Sequence, residues 1–541
     1  MDEVQSHVAS PRLRWLIAVA VMASAVMELV DTSAVNVSIP YIAGNLSATI
    51  DEATWVLTSY LISNAVVLPL TGWLASRFGR KRLLMTAVAG FTLASMLCGL
   101  APTLPWLIVF RVLQGFFGGS LQPTTRAILL ETFPREERGH AMAMWGVGIV
   151  VAPILAPVLG GWLTTDLSWR WIFFINLPIS LFGLFMVQVY VFDPPYLRRA
   201  ASRIDYWGVG LLTLGIAALQ VVLDKGQEAD WFSSHLIAVL ALVAAASLVA
   251  FVVWELRAPD PVVHLRLLKY RTFAAGVGLS VVLFFVLYGS ILLLPLFMQV
   301  VLNFPAITAG IWNAPRGLAT MALMPLAGFL IGRRWDMRAL LFAGILASAL
   351  GVFLFSLLDF SAGPWNFLLP QLVMGAALSF VFVPFATITV DPIPNREMGY
   401  ATSITGFTRN LGASFGISIA ATLLARQSQI HQSRLVAKLD PTDPRLRHWH
   451  AAIQAHLHHA GMSLSLAGQQ AWAVIYGAVE RQAAVLSYLD EFRLLALMFL
   501  LVAPLVWVMK KPRFKPAGGA DAGAGELPAN TGASPAASRS A

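Results

Sequence analysis

Acidic and basic side chains stand inside long apolar stretches of this chain. Glu28 and Asp31 are three residues apart in the first stretch, and Arg111 and Gln114 have the same spacing in the fourth. An ionised side chain at bilayer depth costs at least ~2.5–3.5 kcal/mol on insertion scales, so its presence there indicates a function. Positions three apart share a helical face, and two close carboxylates in a low dielectric raise each other's affinity for protons. We therefore expect at least one of them to carry a proton.

The basic side chains allow two interpretations. Arg111 could be a fixed positive charge that tunes the proton affinity of the carboxylates, or it could form a permanent ion pair that only holds the helices together. Arg126, Arg316 and Arg409 lie nearer the predicted helix ends. Long basic side chains at such positions reach to the membrane interface, so we expect these three to anchor the chain there.

The composition is that of a membrane protein. Of the 541 residues, 57% are hydrophobic and 12% are charged, and the mean hydropathy is +0.71. Soluble domains carry roughly 25% charged residues. A soluble multidomain enzyme, a disordered scaffold and an ordinary nucleic-acid binder are therefore excluded, although the formal charge is +9. The one cysteine, Cys98, lies in an apolar run, so no intrachain disulfide can form.

Windows of about 19 residues predict fourteen membrane spans. The first is too long for the apolar core of a signal peptide and contains two acids, so we expect it to stay in the mature protein. The predicted spans are 15–37, 53–74, 83–101, 105–127, 139–162, 171–191, 206–224, 236–255, 272–298, 307–330, 339–358, 365–390, 401–424 and 491–509.

The distribution of basic residues predicts the orientation. Lysine and arginine fall on one set of short loops and on the termini, whereas the opposite short loops hold only Arg170 and Lys225. The positive-inside rule then puts both termini in the cytoplasm. We expect residues 1–14 to form a cytoplasmic N-terminus, and 510–541 to form a disordered tail because its end is rich in Ala, Gly, Pro and Ser.

Two parts of the first half of the chain recur in the second. The stretch 69–74 with its following arginines returns at 325–330, and Pro134, Glu137, Gly139 and Ala141 return as Pro394, Glu397, Gly399 and Ala401. The alternative is that these similarities arise by chance in an apolar, Gly-rich sequence. The repeat predicts two six-helix halves, with a substrate site between them near mid-membrane. The halves are 15–191 and 272–509, and the two extra helices occupy 206–255.

Four stretches resemble motifs of the major facilitator superfamily. Gly72–Arg82 resembles the loop between its second and third spans, and Arg111–Gly115 resembles the R-x-x-Q-G motif of its fourth span. Leu29–Val37 resembles the first span of its fourteen-span drug:proton antiporters, the EmrB/QacA type. The Gly/Pro signature of the fifth antiporter span is matched by Gly146, Gly148, Pro153, Pro157, Gly160 and Gly161.

The resemblance implies an all-α integral membrane protein of the major facilitator fold, and an exporter rather than an enzyme. It would exchange protons for amphipathic or hydrophobic small molecules, as in multidrug efflux, in a bacterial inner membrane, without a cofactor or a metal. Its proton and substrate residues would be Asp31, Glu28, Arg111, Gln114 and Asn36, and we expect Asp31 to be the main proton carrier. The residues of the conformational loop would be Gly72, Ser76, Arg77, Gly79 and Arg80.

Ser76 departs from the family pattern, which has aspartate at this position. In relatives that aspartate is thought to form a charge–dipole latch to a helix N-terminus across the bundle. A serine can still cap a helix by hydrogen bonding, but it lacks the charge. We therefore expect a weaker latch here.

The segment 425–490 is the one long stretch outside the predicted membrane core. Residues 446–489 lack proline and predict one or two amphipathic helices. The histidines in this segment could chelate a metal, but a solvated helical face explains them better. The resemblance implies docking of a periplasmic adaptor near 425–490, with an outer-membrane channel beyond it. The alternative is that this segment binds no partner and caps the outer mouth of the transport cavity.

Other functions remain open on the same fold. A dedicated exporter or a proton symporter of one metabolite, lipid or siderophore-like compound would look similar, since fold does not fix substrate. No G-x-x-x-x-G-K-[ST] phosphate loop is present, which disfavours an ATP-driven pump. No H-E-x-x-H or paired C-x-x-C signature suggests an enzyme.

Overall fold

The computed structural model describes residues 10–134, 136–193, 205–440 and 442–511, and all regular structure in these ranges is helical. The predicted tail 512–541 and most of the predicted N-terminus, residues 1–9, lie outside the described residues. The helices are α1 (Pro11–Asn45), α2 (Ile50–Phe78), α3 (Arg80–Leu100), α4 (Leu104–Gly118), α5 (Leu121–Thr132), α6 (Arg138–Trp162), α7 (Trp171–Phe174), α8 (Asn176–Tyr190), α9 (Tyr206–Lys225), α10 (His235–Arg257), α11 (Arg271–Leu296), α12 (Ala306–Gly332), α13 (Met337–Phe355), α14 (Leu368–Ile388), α15 (Met398–Val436), α16 (Pro444–His459) and α17 (Leu464–Val502).

Twelve helical stretches among the described residues are long and apolar enough to cross a membrane. Each coincides with a predicted span. The two other predicted spans, 139–162 and 401–424, lie on α6 and α15, which pack in the same bundle. The all-helical, multi-span fold is confirmed, and the total of fourteen spans stays a prediction.

Local sequence explains several helix boundaries. Thr49 and Glu52 form a capping box at the start of α2, in which each side chain accepts a hydrogen bond from the other residue's backbone N–H. Gly79 separates α2 from α3 with a φ of +87°, a conformation that favours glycine. The carboxylate of Asp193 then accepts a hydrogen bond from the Lys81 backbone N–H at 2.9 Å, in the first turn of α3.

One end of the bundle collects the basic loops and both ends of the described chain. Arg14 lies 3.1 Å from Glu137, which precedes α6, and Lys81 donates to the backbone of α8. The Lys510 backbone N–H donates to the Thr272 hydroxyl at 2.9 Å. We refer to this end as the basic end; it contains residues 10, 79, 134, 193, 258–270, 333–336, 389–397 and 509–511.

The two halves of the chain, 11–190 and 271–508, meet at the basic end. A methyl group on Gly399 would lie 3.8 Å from the Cα of Gly72, and one on Gly139 would lie 3.2 Å from the carbonyl oxygen of Gly328. Each recurring glycine of one half therefore packs on the partner motif of the other half. Near the opposite ends of α6 and α12, methyl groups on Gly161 and Gly310 would meet nothing within 4 Å. The described conformation is closed at the basic end.

The helices α9 and α10 form a hairpin that we call the central hairpin. It touches both halves through polar contacts on α2 and α15. Asp224 accepts a hydrogen bond from Thr58 of α2. Gln220 and Ser414 of α15 lie 3.2 Å apart, and the Trp231 indole N–H donates to Thr422 at 3.1 Å. The hairpin therefore bridges the two halves along one flank.

The segment 425–490 is a helical projection at the end opposite the basic end. α15 continues straight out to Val436, α16 packs on α17, and α17 starts at Leu464 and continues into the last span. Small and apolar side chains of α17 at a spacing of four are buried against these neighbours: Ala467, Ala471, Ile475, Val479 and Ala483. The predicted helices in 446–489 are confirmed, and helix also extends into the flanking parts of the segment.

Candidate functional site

Asp31 is the centre of a fully buried polar network inside the first half. The Arg111 guanidinium donates to its Oδ2 at 2.7 Å. Gln114 donates to its Oδ1 at 2.9 Å, and the side-chain amide of Asn176 donates to the same oxygen at 2.7 Å. Asn176 also donates to the Ser95 hydroxyl at 2.9 Å. The three predicted residues Asp31, Arg111 and Gln114 are thus brought together, along with two that the prediction missed.

Arg111 is held from several directions. Its Nε donates to the carbonyl oxygen of Val56 at 3.0 Å, and the Nη1 that bonds Asp31 also donates to Oε1 of Gln114 at 2.7 Å. The guanidinium carbon lies 4.2 Å from the ring centroid of Tyr60 and 5.8 Å from that of Phe173, within cation–π range. Asp31 and Arg111 each have 0% side-chain exposure. The described conformation therefore contains a buried Asp31–Arg111 ion pair, and both interpretations of Arg111 stay predictions.

Glu28 lies one turn from Asp31 but in different surroundings. Its Oε1 accepts hydrogen bonds from Asn64 at 3.0 Å and from the Tyr60 hydroxyl at 3.3 Å. Its Oε2 is buried and accepts no hydrogen bond of good geometry from the described residues, although the Gln122 side chain is near enough to interact with the carboxylate. Arg409 of α15, in the other half, is near enough to attract it electrostatically. Glu28 is therefore the carboxylate that faces the boundary between the halves.

Arg126 and Arg409 share one aromatic ring at this boundary. Their guanidinium carbons lie 5.6 and 5.8 Å from the ring centroid of Trp145. Arg126 of α5 crosses the boundary and donates to the carbonyl oxygen of Ala386 at 3.1 Å and to the hydroxyl of Thr405 at 3.3 Å. Interfacial anchoring was the wrong expectation for both arginines, because they lie inside the bundle and Arg126 is only 5% exposed.

A third arginine lies in the second half. Arg316 of α12 is 3.5 Å from the side-chain oxygen of Asn313, which also accepts from Gln371 at 2.9 Å. The Nη1 of Arg316 and the Oε1 of Gln371 are buried and have no hydrogen-bond partner among the described residues. Anchoring was also the wrong expectation for Arg316, because its charged group stays in the bundle instead of reaching to the interface.

The Gly/Pro signature lines close helix contacts. A methyl group on Gly146 would lie 2.6 Å from the sulfur of Met324, in the other half. Methyl groups on Gly148 and Gly160 would lie 2.1 Å from Met22 and 3.0 Å from Ala34, both on α1, whereas one on Gly161 would meet open space. The side chains of Pro153 and Pro157 lie outside the described residues. Three of these glycines therefore hold α6 close to its neighbours.

The conformational loop also joins the halves. Arg80 forms an ion pair with Glu131, and it donates to the Asn395 carbonyl oxygen at 3.3 Å. Arg138 donates to the Asn395 side chain at 3.0 Å. Arg77 instead lies over the Trp73 ring of its own helix, 5.8 Å from the centroid.

Ser76 does not cap a helix N-terminus. Its hydroxyl lies 2.9 Å from the hydroxyl of Tyr400, in the first turn of α15, and donates to the carbonyl oxygen of Trp73 at 2.8 Å. The Tyr400 ring stacks on His264, with centroids 3.9 Å apart. Burial lowers the pKa of His264, and Arg266 lowers it further. The cross-bundle contact thus uses a tyrosine hydroxyl and a neutral imidazole.

Asn36 is the predicted site residue that the structure leaves apart. It is exposed, and no hydrogen bond of the described residues joins it to the Asp31 network. No group of three or more His, Cys, Asp or Glu that could hold a metal occurs in the described part of the chain. Two histidines of the projection make local contacts: His431 lies 2.9 Å from Asp490, and His450 lies 3.0 Å from the Gly468 carbonyl oxygen.

Comparison with protein families and curated sequences gives consistent matches. The family model described as Major Facilitator Superfamily matches residues 21–417. The multidrug export protein EmrB of Haemophilus influenzae is 36% identical over 499 residues, which are 92% of this chain and 96% of that protein. The fatty acid resistance protein FarB of Neisseria gonorrhoeae is 37% identical over 497 residues, with coverage of 91% and 95%. The EmrB of Escherichia coli K12 is 35% identical, with coverage of 92% and 95%.

Solved structures share the architecture. The proton:xylose symporter XylE, bound to 6-bromo-6-deoxy-D-glucose, aligns with a TM-score of 0.58 at 17% identity, over 92% of this chain and 95% of that chain. The human organic anion transporter MFSD10 aligns with the same TM-score at 14% identity, over 92% and 100%. At this level of identity the likeness concerns the fold alone.

Proposed function

This chain belongs to the major facilitator superfamily, and we propose that it is a proton-coupled exporter of amphipathic small molecules that works by alternating access. It is a multi-span membrane transporter and not an enzyme. The observation that carries the proposal is the pair of Arg126 and Arg409 over Trp145, because Arg409 also attracts the Glu28 carboxylate across the boundary between the halves.

The basic end faces the cytoplasm of a bacterial cell, with both termini inside. The excess of lysine and arginine at this end supports that orientation. The described conformation is then closed to the cytoplasm, and the helical projection stands in the periplasm. A cysteine in place of exposed Ser433 should react with an impermeant thiol reagent in intact cells, whereas one in place of Ser10 should not. The reverse labelling pattern would overturn the orientation.

Glu28 carries the proton, and Asp31 holds the first half together. Support for this division comes from hydrogen bonding: both oxygens of Asp31 have donors, whereas Oε2 of Glu28 has none. Protonation of Glu28 removes a buried charge and frees Arg409 from its attraction, while protonation of Asp31 would leave Arg111 buried without a counter-charge. The proton enters from the periplasm, and its release to the cytoplasm restores the Glu28–Arg409 attraction.

Amphipathic compounds with an acidic head group are the substrates that this cluster fits. The two positive charges of Arg126 and Arg409 exceed the single negative charge of Glu28. A carboxylate of the substrate can therefore take the place of Glu28 beside Arg409. Trp145 and Phe284, whose ring centroid lies 5.7 Å from Arg409, supply aromatic surface for the apolar part. Two relatives are named for multidrug export and for fatty acid resistance, which agrees with this substrate class.

The projection is the docking site of a periplasmic adaptor that continues to an outer-membrane channel. Its exposed apolar side chains support this role, since Leu466, Val474 and Tyr476 are each nearly half exposed on α17. Co-purification of a membrane-fusion adaptor should be lost when these side chains are replaced by serine. Retained co-purification would contradict docking on α17.

Proteoliposomes test the transport proposal directly. An outward-acid proton gradient should drive the exchange of a long-chain carboxylate against protons, and a neutral alcohol of equal chain length should be transported less well. Arg409→Gln should reduce carboxylate transport about ten- to a hundredfold, as expected for the loss of a charge-assisted hydrogen bond. Arg426→Gln is the matched control, because Arg426 is exposed on the same helix. Equal loss in both variants, or transport without a proton gradient, would contradict the proposal.

A further inference from the structure

A polar cavity lies at the basic end, away from Glu28. Its volume is about 880 Å³. Its wall is formed by the first turns of α11 and α13, by the loop that follows α14, and by residues 507–511. Four of the side chains that line it are basic: Arg271, Arg338, Lys510 and Lys511.

The positive charge of this cavity is only partly neutralised. Arg338 is paired with Asp336 at 3.0 Å, and the Lys511 ammonium lies 3.9 Å from the same carboxylate. Asp391 also lines the cavity. Arg271 and Lys510 have no acidic partner among the described residues. An anion of one or two charges would balance the site.

The cavity lies at the level where helices leave the apolar core. Arg271 is the first residue of one apolar span, Arg338 is the second residue of another, and Lys510 is the second residue after the last span. Trp507 at its rim is 51% exposed, and the Arg338 guanidinium lies 5.3 Å from the centroid of its ring. Tryptophan is typical of the interface between acyl chains and head groups. The rim therefore suits a molecule with an acidic head and apolar chains better than a free ion.

We propose that this cavity binds the phosphodiester head group of an anionic phospholipid, with Arg271 and Lys510 as the residues that meet the phosphate. Basic pockets between membrane helices are suited to such head groups. The hydrogen bond from the Lys510 backbone N–H to the Thr272 hydroxyl holds residue 510 against α11, so the two cations stay together. The site needs only that the bundle spans a membrane, so it does not depend on the proposed transport activity.

The lipid site is connected to the contact between the halves. Asp391 and Pro392 of its wall belong to the loop that also contains Asn395. Asn395 accepts hydrogen bonds from Arg80 and Arg138 of the other half. A head group against this loop would restrain it in the position in which Asn395 makes those bonds, so bound lipid favours closure of the basic end.

Native mass spectrometry of the purified full chain tests the proposal. Phosphatidylglycerol and phosphatidylcholine with identical acyl chains are added in turn to the detergent-solubilised protein. The wild type should retain phosphatidylglycerol about tenfold more tightly, and the double variant Arg271→Gln, Lys510→Gln should retain the two lipids alike. The matched control is Arg257→Gln with Arg266→Gln, because both arginines are exposed at the same end and outside the cavity.

Several results would overturn the site. They are equal retention of both lipids by the wild type, unchanged preference in the Arg271/Lys510 double variant, and equal loss in the control pair. Inorganic phosphate and glycerophosphoglycerol are added as competitors; displacement of the lipid by millimolar phosphate alone would assign the cavity to a free anion instead. Thermal unfolding of each variant in phosphatidylcholine separates loss of the site from loss of the fold.

Discussion

Glu28 and Asp31 lie one helical turn apart on α1, yet only Asp31 has hydrogen-bond donors on both of its oxygens. Asp31 turns into the first half and bonds to Arg111, Gln114 and Asn176. Glu28 has one buried oxygen without a donor among the described residues and is attracted to Arg409 across the boundary. Although the two carboxylates are neighbours on one helix, we therefore expect their substitution to have different effects on transport and on stability.

Glu28→Gln should abolish proton coupling and leave the fold intact. The glutamine oxygen can still accept from Asn64 and Tyr60, and the neutral amide is less costly in the membrane than a carboxylate. Proton release on substrate addition to proteoliposomes should fall to background, while the thermal midpoint should stay that of the wild type. Full proton-driven transport by this variant would return the proton role to Asp31.

Asp31→Asn should destabilise the protein instead. Removal of one partner leaves the buried charge of Arg111 uncompensated, which typically costs about 3–5 kcal/mol. The double variant Asp31→Asn, Arg111→Gln should recover part of that loss, because no charge is then left unpaired. Thermal unfolding of the two single variants and the double variant measures this coupling. Additive effects, with no recovery in the double variant, would show that the pair does not stabilise the fold.

Gly72→Ala should weaken closure at the basic end. Its new methyl group would lie 2.6 Å from the backbone Cα of Tyr400, which cannot move as easily as a side-chain tip. A cysteine in place of buried Ser403, in a chain with Cys98→Ala, should then react faster with a thiol reagent applied from the cytoplasmic side. Gly161→Ala is the control, since its methyl group meets open space. Identical labelling rates in the two variants would refute the packing argument.

His264 should make the basic end sensitive to acid. Its pKa is lowered by burial in the folded protein, whereas in the unfolded chain it is about 6.5. The contribution of His264 to the free energy of unfolding is therefore fully present above pH ~6.5. It is lost as the pH falls below that value, because the unfolded state then binds the proton more readily. His264→Phe keeps the stack on Tyr400 without titrating. Its thermal midpoint should fall less between pH 7.5 and 5 than that of the wild type, and an equal fall would contradict this explanation.

Sequence alone predicted the architecture because long apolar runs and basic loops are read directly from residue types. The same reasoning brought Asp31, Arg111 and Gln114 together, since a charge inside an apolar run needs a partner. It missed Asn64, Asn176 and Ser95, although an amide or a hydroxyl inside a predicted span was an available signal.

The arginines show where the sequence was insufficient. Arg126 is the last but one residue of its predicted span and Arg409 lies in the first half of its own, which suggested that they reach to the interface. Their direction depends on how the two halves pack, and Trp145 receives both only because α5, α6 and α15 converge there. Likewise, Tyr400 as the partner of Ser76 could not be inferred, because it lies 324 residues further along the chain.

The central hairpin makes the two seams between the halves unequal. It covers the seam of α2 and α15 through Thr58, Gln220 and Trp231, whereas none of the described residues outside the two halves bridges the seam of α6 and α12. The side of the molecule at which α6 meets α12 is therefore left to the surrounding lipid.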